Sequence, residues 1–296
     1  MKQKPRYITL PEAWDELTEA DWRELLKIRQ TVATTDHQWT VEDVRIESAR
    51  MLLQNRSVRT RTHNRQWLLL VSQVAESLTW LWKVEGGGLS LVYRSTVNLI
   101  PRIQAGTKKE HQEWLGPLSH GSDLTFGEFR MATAILRQYE QQPDDPRHLQ
   151  VLAGLLYRPA ATDEQKAFTG DRQLLRQPYD WDDFEAKRLR GARMKPWQVW
   201  GIYAWIAFFC EYLTTGIFTI GGTNISFAPL FETGRDGKPG SQETAGNSLQ
   251  QISLTLAETH VFGTARDVDR TPLLTVMQKL LQDYQTLQRL KKRKNS

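Results

Sequence analysis

The chain has 296 residues, of which 40% are hydrophobic and 25% are charged, and its formal net charge is +5. This length fits one large domain or two closely packed ones, and the composition is typical of a soluble globular protein. The single cysteine, Cys210, excludes an internal disulfide, and because no apolar stretch follows the first residues we expect no secretory signal.

Three helices are predicted in the amino-terminal part of the chain. Thr18 opens a pattern of the capping-box kind, and Trp22 and Leu25 follow it at helical spacing. The same kind of start recurs at Thr40. A longer and richly apolar helix is predicted over residues 65–83.

The hydrophobic period changes after the glycines at 86–88, which end the third helix. Apolar and polar residues alternate over residues 89–94, and a second apolar run covers residues 97–101. Because a period of two predicts strands, we expect these two segments to pair as a small β-hairpin. Such a hairpin is marginal by itself and would pack on the helices.

Residues 124–159 predict a helical hairpin. Thr125 and Glu128 form a capping box, and the apolar side chains of an amphipathic helix follow them. A Pro-Asp-Asp-Pro turn leads to a second helix, which begins near His148 and is stopped by Pro159.

Residues 196–231 are the most apolar part of the chain and carry one charged side chain, Glu211. The part from Trp197 to Ile220 is long enough to span a membrane. Because an ionised carboxylate in mid-membrane is costly, we instead predict a buried central or subunit-interface helix.

The remaining segments on either side of this apolar part are simpler. Residues 160–195 are polar and acidic, which predicts a connection with short helical turns. Two helices are predicted to close the chain, at about residues 247–258 and 271–290. Pro272 then falls in the first turn of the last helix, where proline is tolerated.

The sequence offers no pattern for catalysis, for a metal or for a cofactor. No two of the six histidines stand at metal-ligand spacing, and one cysteine cannot complete a cysteine-based site. The acidic segment at residues 180–185 is interpreted as a loop or helix start rather than as paired catalytic carboxylates. The glycines at 86–88 and 234–240 lack the spacing of phosphate-binding loops and are interpreted as turns. We therefore expect no enzyme activity.

Basic residues are concentrated in residues 56–65, 187–195 and 289–294. Such clusters usually mark solvated segments, but they also supply the counterion-release component of nucleic-acid binding. Association with nucleic acid is therefore one alternative function, although no RRM, KH or zinc-finger pattern accompanies the clusters. Membrane association through Trp197 to Ile220 is another.

Several short motifs occur along the chain in a characteristic order. They are LPEAWDELT at 10–18, NLIP at 98–101, TFGEF at 125–129, LLYRP at 155–159, the aromatic stretch at 200–209, and LAE and FGT at 256–258 and 262–264. Together they resemble a family of helical structural and assembly proteins encoded in the tail-gene region of tailed phages and prophages.

This resemblance implies a non-enzymatic protein of phage-tail or tail-like particles, either an assembly chaperone or a minor structural component. Its expected partners are other phage tail proteins, with a homo-oligomer as a further option, and it would work in the host cytoplasm or in the particle. No cofactor is implied. Aromatic grooves that receive helices or strands of partners would carry the binding. The candidate partner-binding residues are Phe126, Phe129, Tyr157, Trp197, Trp200, Trp205, Phe208 and Phe209.

The predicted fold is mainly α, a multi-helix globular bundle with a small β-hairpin. We expect an amino-terminal helical domain over residues 1–160, which contains both hairpins. Residues 161–195 would connect it to a carboxyl-terminal helical region, residues 196–296, that packs on the first domain.

Overall fold

A computed structural model describes residues 8–56, 65–85, 88–105, 112–169, 174–179, 193–232, 255–258 and 261–294. In these residues the chain is mainly α-helical, as predicted, and it carries three small antiparallel sheets where one hairpin was predicted. Its contacts divide it into two compact units. Unit 1 comprises Met1–Ser95 and Pro196–Gly201, and unit 2 comprises Thr96–Lys195 and Ile202–Ser296.

Unit 1 contains helices and one antiparallel hairpin. Its elements are α1 (Glu19–Thr34), α2 (Val41–Asn55), α3 (Arg65–Ser77), β1 (Trp82–Glu85) and β2 (Gly88–Leu91). The helix starts predicted at Thr18 and Thr40 are confirmed, because each threonine side chain accepts the backbone N–H three residues later in a complete capping box.

Tryptophans and a tyrosine form the centre of unit 1. The ring of Trp14 contacts those of Trp22, Trp80 and Tyr93 edge to face, with centroids 5.1 to 5.3 Å apart. This geometry is favourable for aromatic pairs beyond the area that they bury. The indole N–H of Trp82, which is also buried, donates to Ser48 Oγ at 2.9 Å.

The third helix and the hairpin differ from the prediction. The helix ends at Ser77, and Trp82–Glu85 is a strand that pairs with Gly88–Leu91. Residues 97–101, the predicted partner, form no strand. A short apolar run is compatible with either a helix or a strand. Here the strand pairing is accompanied by burial of Trp82 and Leu91.

Unit 2 contains the helical hairpin, two small sheets and the closing helices. Its elements are β3 (Arg102–Ala105), β4 (Gln112–Leu115), α4 (Phe126–Gln141), α5 (Arg147–Leu156), β5 (Arg158–Pro159), α6 (Asp163–Thr169), β6 (Phe218–Ile220), β7 (Thr223–Ile225), α8 (Pro229–Glu232), α9 (Ala265–Arg270) and α10 (Leu273–Lys294). The strand order of the larger sheet is β3-β4-β5, with antiparallel pairing throughout. The predicted capping box at Thr125 and the predicted α4–α5 hairpin are both confirmed.

The helical hairpin is joined to the last helices by backbone hydrogen bonds. Phe126 N–H donates to Thr271 O at 2.9 Å, and Leu273 N–H donates to Leu124 O at 2.7 Å. Residues 124–159 and the carboxyl-terminal helices α9 and α10 therefore belong to the same unit.

Helix α7 (Pro196–Thr215) covers most of the apolar segment. In unit 2, Ile206 and Phe209 on this helix are fully buried, whereas Glu211 is exposed. This arrangement satisfies the carboxylate with water and places the apolar face in a core. Among the described residues no helix is both long and apolar enough to cross a membrane.

The closing helices also differ in detail. Helix α10 begins after Pro272 and continues to Lys294, four residues further than predicted. Of the helix predicted at 247–258, residues 255–258 are helical, and the others lie outside the described residues.

Candidate functional site

A buried ion cluster in unit 2 joins both ends of the helical hairpin. Glu128 lies in the first turn of α4, and its side chain is fully buried. Its Oε1 atom lies 2.8 Å from Nη1 of Arg158 and 3.0 Å from Nη1 of Arg176. Its Oε2 atom accepts the backbone N–H of Thr125 at 2.9 Å. One carboxylate therefore holds α4, β5 and the segment 174–179 together.

Asp123 supplies the second negative charge of the cluster. Its Oδ2 atom accepts from Nε of Arg176 at 2.9 Å, and Arg176 also donates to the backbone oxygen of Leu156 at 2.7 Å. Arg158 and Arg176 thus face the carboxylates of Glu128 and Asp123. Balanced charges and several hydrogen bonds offset the cost of removing these groups from water.

The protonation of Glu128 limits the chemistry of the cluster. Burial by itself would raise the pKa of Glu128, but attraction by Arg158 and Arg176 and the hydrogen bond from Thr125 hold this pKa below its usual value. Glu128 is then ionised at neutral pH, while both guanidinium groups stay protonated. Because Glu128, Arg158 and Arg176 keep their charges at neutral pH, these three groups are suited to holding segments together.

A tyrosine lies beside this cluster. The Oη atom of Tyr179 is buried and has no hydrogen-bond partner among the described residues, and the same is true of Nε of Arg158. Burial raises the pKa of Tyr179, so its phenol stays protonated. Its ring packs on Gly127, where a Cβ atom would lie 2.9 Å from ring atom Cε1. Glycine at 127 therefore allows the close approach of the tyrosine to α4.

A second buried network in unit 2 surrounds Asn98. The side-chain amide of Asn98 donates to Pro117 O at 2.7 Å, and its Oδ1 atom accepts the backbone N–H of Ile100 at 3.0 Å. The hydroxyl of Tyr157 donates to Ile100 O at 2.6 Å. Residues 97–101 therefore form an ordered turn against the end of α5, which explains why they do not pair as a strand.

The predicted aromatic candidates do not form one surface. Three of them, Trp197, Trp200 and Phe208, are half-buried. The other five are buried, and they are Phe126, Phe129, Tyr157, Trp205 and Phe209. These five belong to the core of unit 2. Because neighbouring residues cover their side chains, they present no surface to a partner in this conformation. Within unit 1, Trp200 stacks under the guanidinium of Arg29, at 4.1 Å from the ring centroid.

Exposed apolar side chains lie elsewhere. Leu68 and Leu69 on α3 are 50% and 56% exposed, and Leu287 and Leu290 on α10 are 58% and 51% exposed. In unit 1, a groove of about 340 Å³ lies along α1 and α2, with Trp39 among its lining residues. Sequence reasoning missed these positions, because an amphipathic pattern shows which residues are apolar but not which of them are covered.

The ion cluster was missed for a related reason. Glu128 was recognised only as a helix-capping residue, and Arg176 falls in the predicted connecting segment. The two are separated by 48 positions in the chain. The only indication of the cluster in the sequence was that Glu128 and Arg158 both lie in motifs of the resemblance.

The predicted basic and acidic clusters are only partly described. Arg56 is tied to the buried carboxylate of Asp21 at 3.2 Å, so it serves the packing of unit 1. Residues 57–64, 86–87, 180–192 and 233–250 lie outside the described residues, and with them the acidic segment, the 234–240 turn and most of two basic clusters. The basic residues at the end of the chain are placed on the last turns of α10. In the described part of the chain, no group of three or more His, Cys, Asp or Glu residues could hold a metal ion.

Comparison of the chain with protein-family models, with curated proteins and with solved structures finds no match.

Proposed function

We propose that the protein is a phage or prophage tail protein that acts by protein–protein binding during tail assembly, as a chaperone or as a minor structural component. In this proposal it is a multi-helix globular bundle without enzyme activity. It works in the host cytoplasm or stays in the particle, and its partners are other tail proteins. A homo-oligomer is compatible with this role.

One observation supports this proposal above the others, namely that three of the motifs on which the resemblance rests, TFGEF, LLYRP and NLIP, meet in space. Glu128 of TFGEF pairs with Arg158 of LLYRP at 2.8 Å. Tyr157 of LLYRP is hydrogen-bonded to NLIP through Ile100 at 2.6 Å. If the members of a family share a structural core, the motifs that they have in common should be in contact in the fold even where they are far apart in the chain.

The closing part of the chain joins the same core. Helix α9 follows the FGT motif directly, and its Asp269 pairs with Arg130 of α4 at 2.8 Å. NLIP, TFGEF and LLYRP thus lie where unit 2 is held together. The binding itself would be carried by exposed residues outside NLIP, TFGEF and LLYRP, because the side chains of these three motifs are largely buried.

A genetic experiment tests the assignment. In a lysogen that encodes this chain, an early frameshift in its gene should abolish infectious particles after induction and leave heads without tails in electron micrographs. Expression of the intact gene from a plasmid should restore them. Normal tails in the frameshift strain would contradict the proposal.

The composition of purified particles separates the two forms of the proposal. A minor structural component remains in particles after gradient purification and is detected by mass spectrometry. An assembly chaperone is present in the lysate but absent from the particles.

Nucleic-acid association is the second candidate, and one observation favours it. Arg289, Lys291 and Arg293 are exposed on the last turns of α10. If they contact phosphates, binding to duplex DNA should fall steeply with salt, by about one unit of log–log slope per contact. Binding that is absent at low salt would exclude this role.

A further inference from the structure

The last helix leaves its core partway along its length. Leu273, Val276 and Met277, in the first turns of α10, are buried. Further along the same helix, Leu287 and Leu290 are 58% and 51% exposed. Helix α10 therefore begins as a packed element of unit 2 and ends with two leucines in water.

The exposed leucines continue a regular apolar line. Met277, Leu280, Tyr284 and Leu287 follow one another at alternating steps of three and four residues. This is the spacing of a coiled-coil seam, and it makes a narrow stripe on one side of the helix. Leu290 lies at the edge of the same stripe, three residues after Leu287.

Another flank of α10 faces the small sheet of β6 and β7. Gln278, Leu281 and Gln285 line a groove together with Asn224 and Ile225, at the second strand of the small sheet. Successive helical residues are rotated by about 100°, so this flank is separate from the one that carries Tyr284 and Leu287. The seam therefore points away from the small sheet.

The charge around the exposed end of the seam has one sign. The last acidic residue of α10 is Asp283, and it is paired with Lys279 of the same helix. Beyond it the chain contains only basic and uncharged residues, and Lys291 falls on the same face as Leu287. Basic residues also stabilise the negative end of a helix dipole, but that effect gives no reason for leucines in water.

The width of the apolar stripe and the positive charge around it favour some kinds of binding partner over others. An interfacial membrane helix needs a wide apolar face, and this stripe is only one or two residues wide. Nucleic acid would use the basic residues but would leave Leu287 and Leu290 exposed. A second copy in parallel register would bring Lys291 and Arg293 against their own equivalents, which is unfavourable.

We infer that the end of α10, from Tyr284 to Lys294, is a docking seam for an amphipathic α-helix of another protein whose flanking positions are acidic. The apolar residues of that helix would cover Leu287 and Leu290, and its carboxylates would pair with the basic residues around them. This inference goes beyond the tail-assembly proposal and does not depend on it, because it specifies a surface and the chemistry of its partner.

The test uses the full chain and two synthetic coiled-coil peptides. Both peptides carry leucine at the a and d positions. One has glutamate at the e and g positions, and the other has lysine there. Fluorescence anisotropy should detect binding of the acidic peptide to the protein, weakened by added salt, and no comparable binding of the basic peptide. Equal binding of the two peptides would overturn the inference.

Paired variants locate the binding. Leu287→Ser combined with Leu290→Ser should weaken binding of the acidic peptide by about tenfold or more, since two half-exposed leucines would lose their apolar contacts. The matched control is Leu68→Ser combined with Leu69→Ser, a pair of similar exposure on α3 that should leave binding unchanged. Circular dichroism checks that both variants stay folded. An equal loss in the control pair, or no loss in the seam pair, would overturn the inference.

The variant with Leu287→Ser and Leu290→Ser also tests the other possible binding partners. A dimer that forms in sedimentation experiments and is lost in this variant would identify a second copy instead. Binding to duplex DNA or to vesicles of anionic lipid that requires Leu287 and Leu290, without binding of the acidic peptide, would equally reject the acidic helix. A failure of tail assembly alone would not bear on this measurement, because it is made with purified protein.

Discussion

The carboxylate of Glu128 and the guanidinium of Arg158 lie 2.8 Å apart, and both side chains are almost completely buried. The first comes from the start of the helical hairpin and the second from the strand that follows it. The guanidinium of Arg176 contacts the same carboxylate. Because these groups are buried away from water, the packing of unit 2 depends on the negative charge of Glu128.

Replacing Glu128 by Gln should strongly destabilise unit 2. Glutamine can keep the capping role of this position, so the substitution removes the charge and leaves Arg158 and Arg176 without their shared partner. We expect a loss of about 3–5 kcal/mol in the free energy of unfolding, measured by urea denaturation. Glu140→Gln, at the exposed end of the same helix, is the control and should change little. Equal effects of the two substitutions would contradict a special role for the cluster.

The same carboxylate should make stability depend on acid pH. Burial raises the pKa of Glu128, but the two guanidinium groups and the Thr125 hydrogen bond outweigh it, so this pKa is lower in the folded than in the unfolded chain. The stabilisation is therefore fully present above the ordinary pKa of glutamate in the unfolded chain and is lost as the pH falls through the lower folded pKa. Urea midpoints measured between pH 7 and pH 3 should fall less in Glu128→Gln than in the wild type. Parallel curves would show that Glu128 titrates alike in both states.

Phe129 should act as a core residue. Its ring is 5% exposed on α4, so Phe129→Ala would leave a cavity and cost about 3–5 kcal/mol. Phe208→Ala, at a half-buried position, should cost clearly less. Denaturation midpoints of the two variants make the comparison, and an unchanged midpoint for Phe129→Ala would refute the core assignment.

A methyl group at Gly116 should not fit. A Cβ atom there would lie 2.4 Å from Cζ of Tyr157, and the hydroxyl of this tyrosine is held by Ile100 O at 2.6 Å. We expect Gly116→Ala to cost about 1–3 kcal/mol. In a Tyr157→Leu background, where the ring is absent, the same substitution should cost much less. Additive effects in this double-mutant cycle would contradict the proposed contact.

Much of the local structure follows from short sequence patterns. The starts of α1, α2 and α4 were predicted from Thr18, Thr40 and Thr125, because a capping box is made by residues only three positions apart. The turn and second helix of the hairpin were predicted for similar reasons. The apolar character of α7 was equally plain, since it is a property of composition.

Pairings between distant residues were not predictable in this way. The strand at Trp82–Glu85 pairs with Gly88–Leu91 and not with residues 97–101, because Asn98 and Tyr157 hold the latter in a turn. The sheet of β3 and β4 and the bonds between α4 and the start of α10 have no local signature either. Aromatic residues that were expected at a surface, such as Phe126 and Phe209, are core residues instead.

The amino-acid sequence by itself determined where helices begin, which segments are apolar and how charge is distributed, because these depend on neighbouring residues. Only the tertiary structure decided that Glu128, Arg158 and Arg176 share one buried site, and that Leu287 and Leu290 stay in water while Phe126 does not. The physical reason is that burial and ion pairing depend on which surfaces meet, and residues of any sequence separation can supply those surfaces.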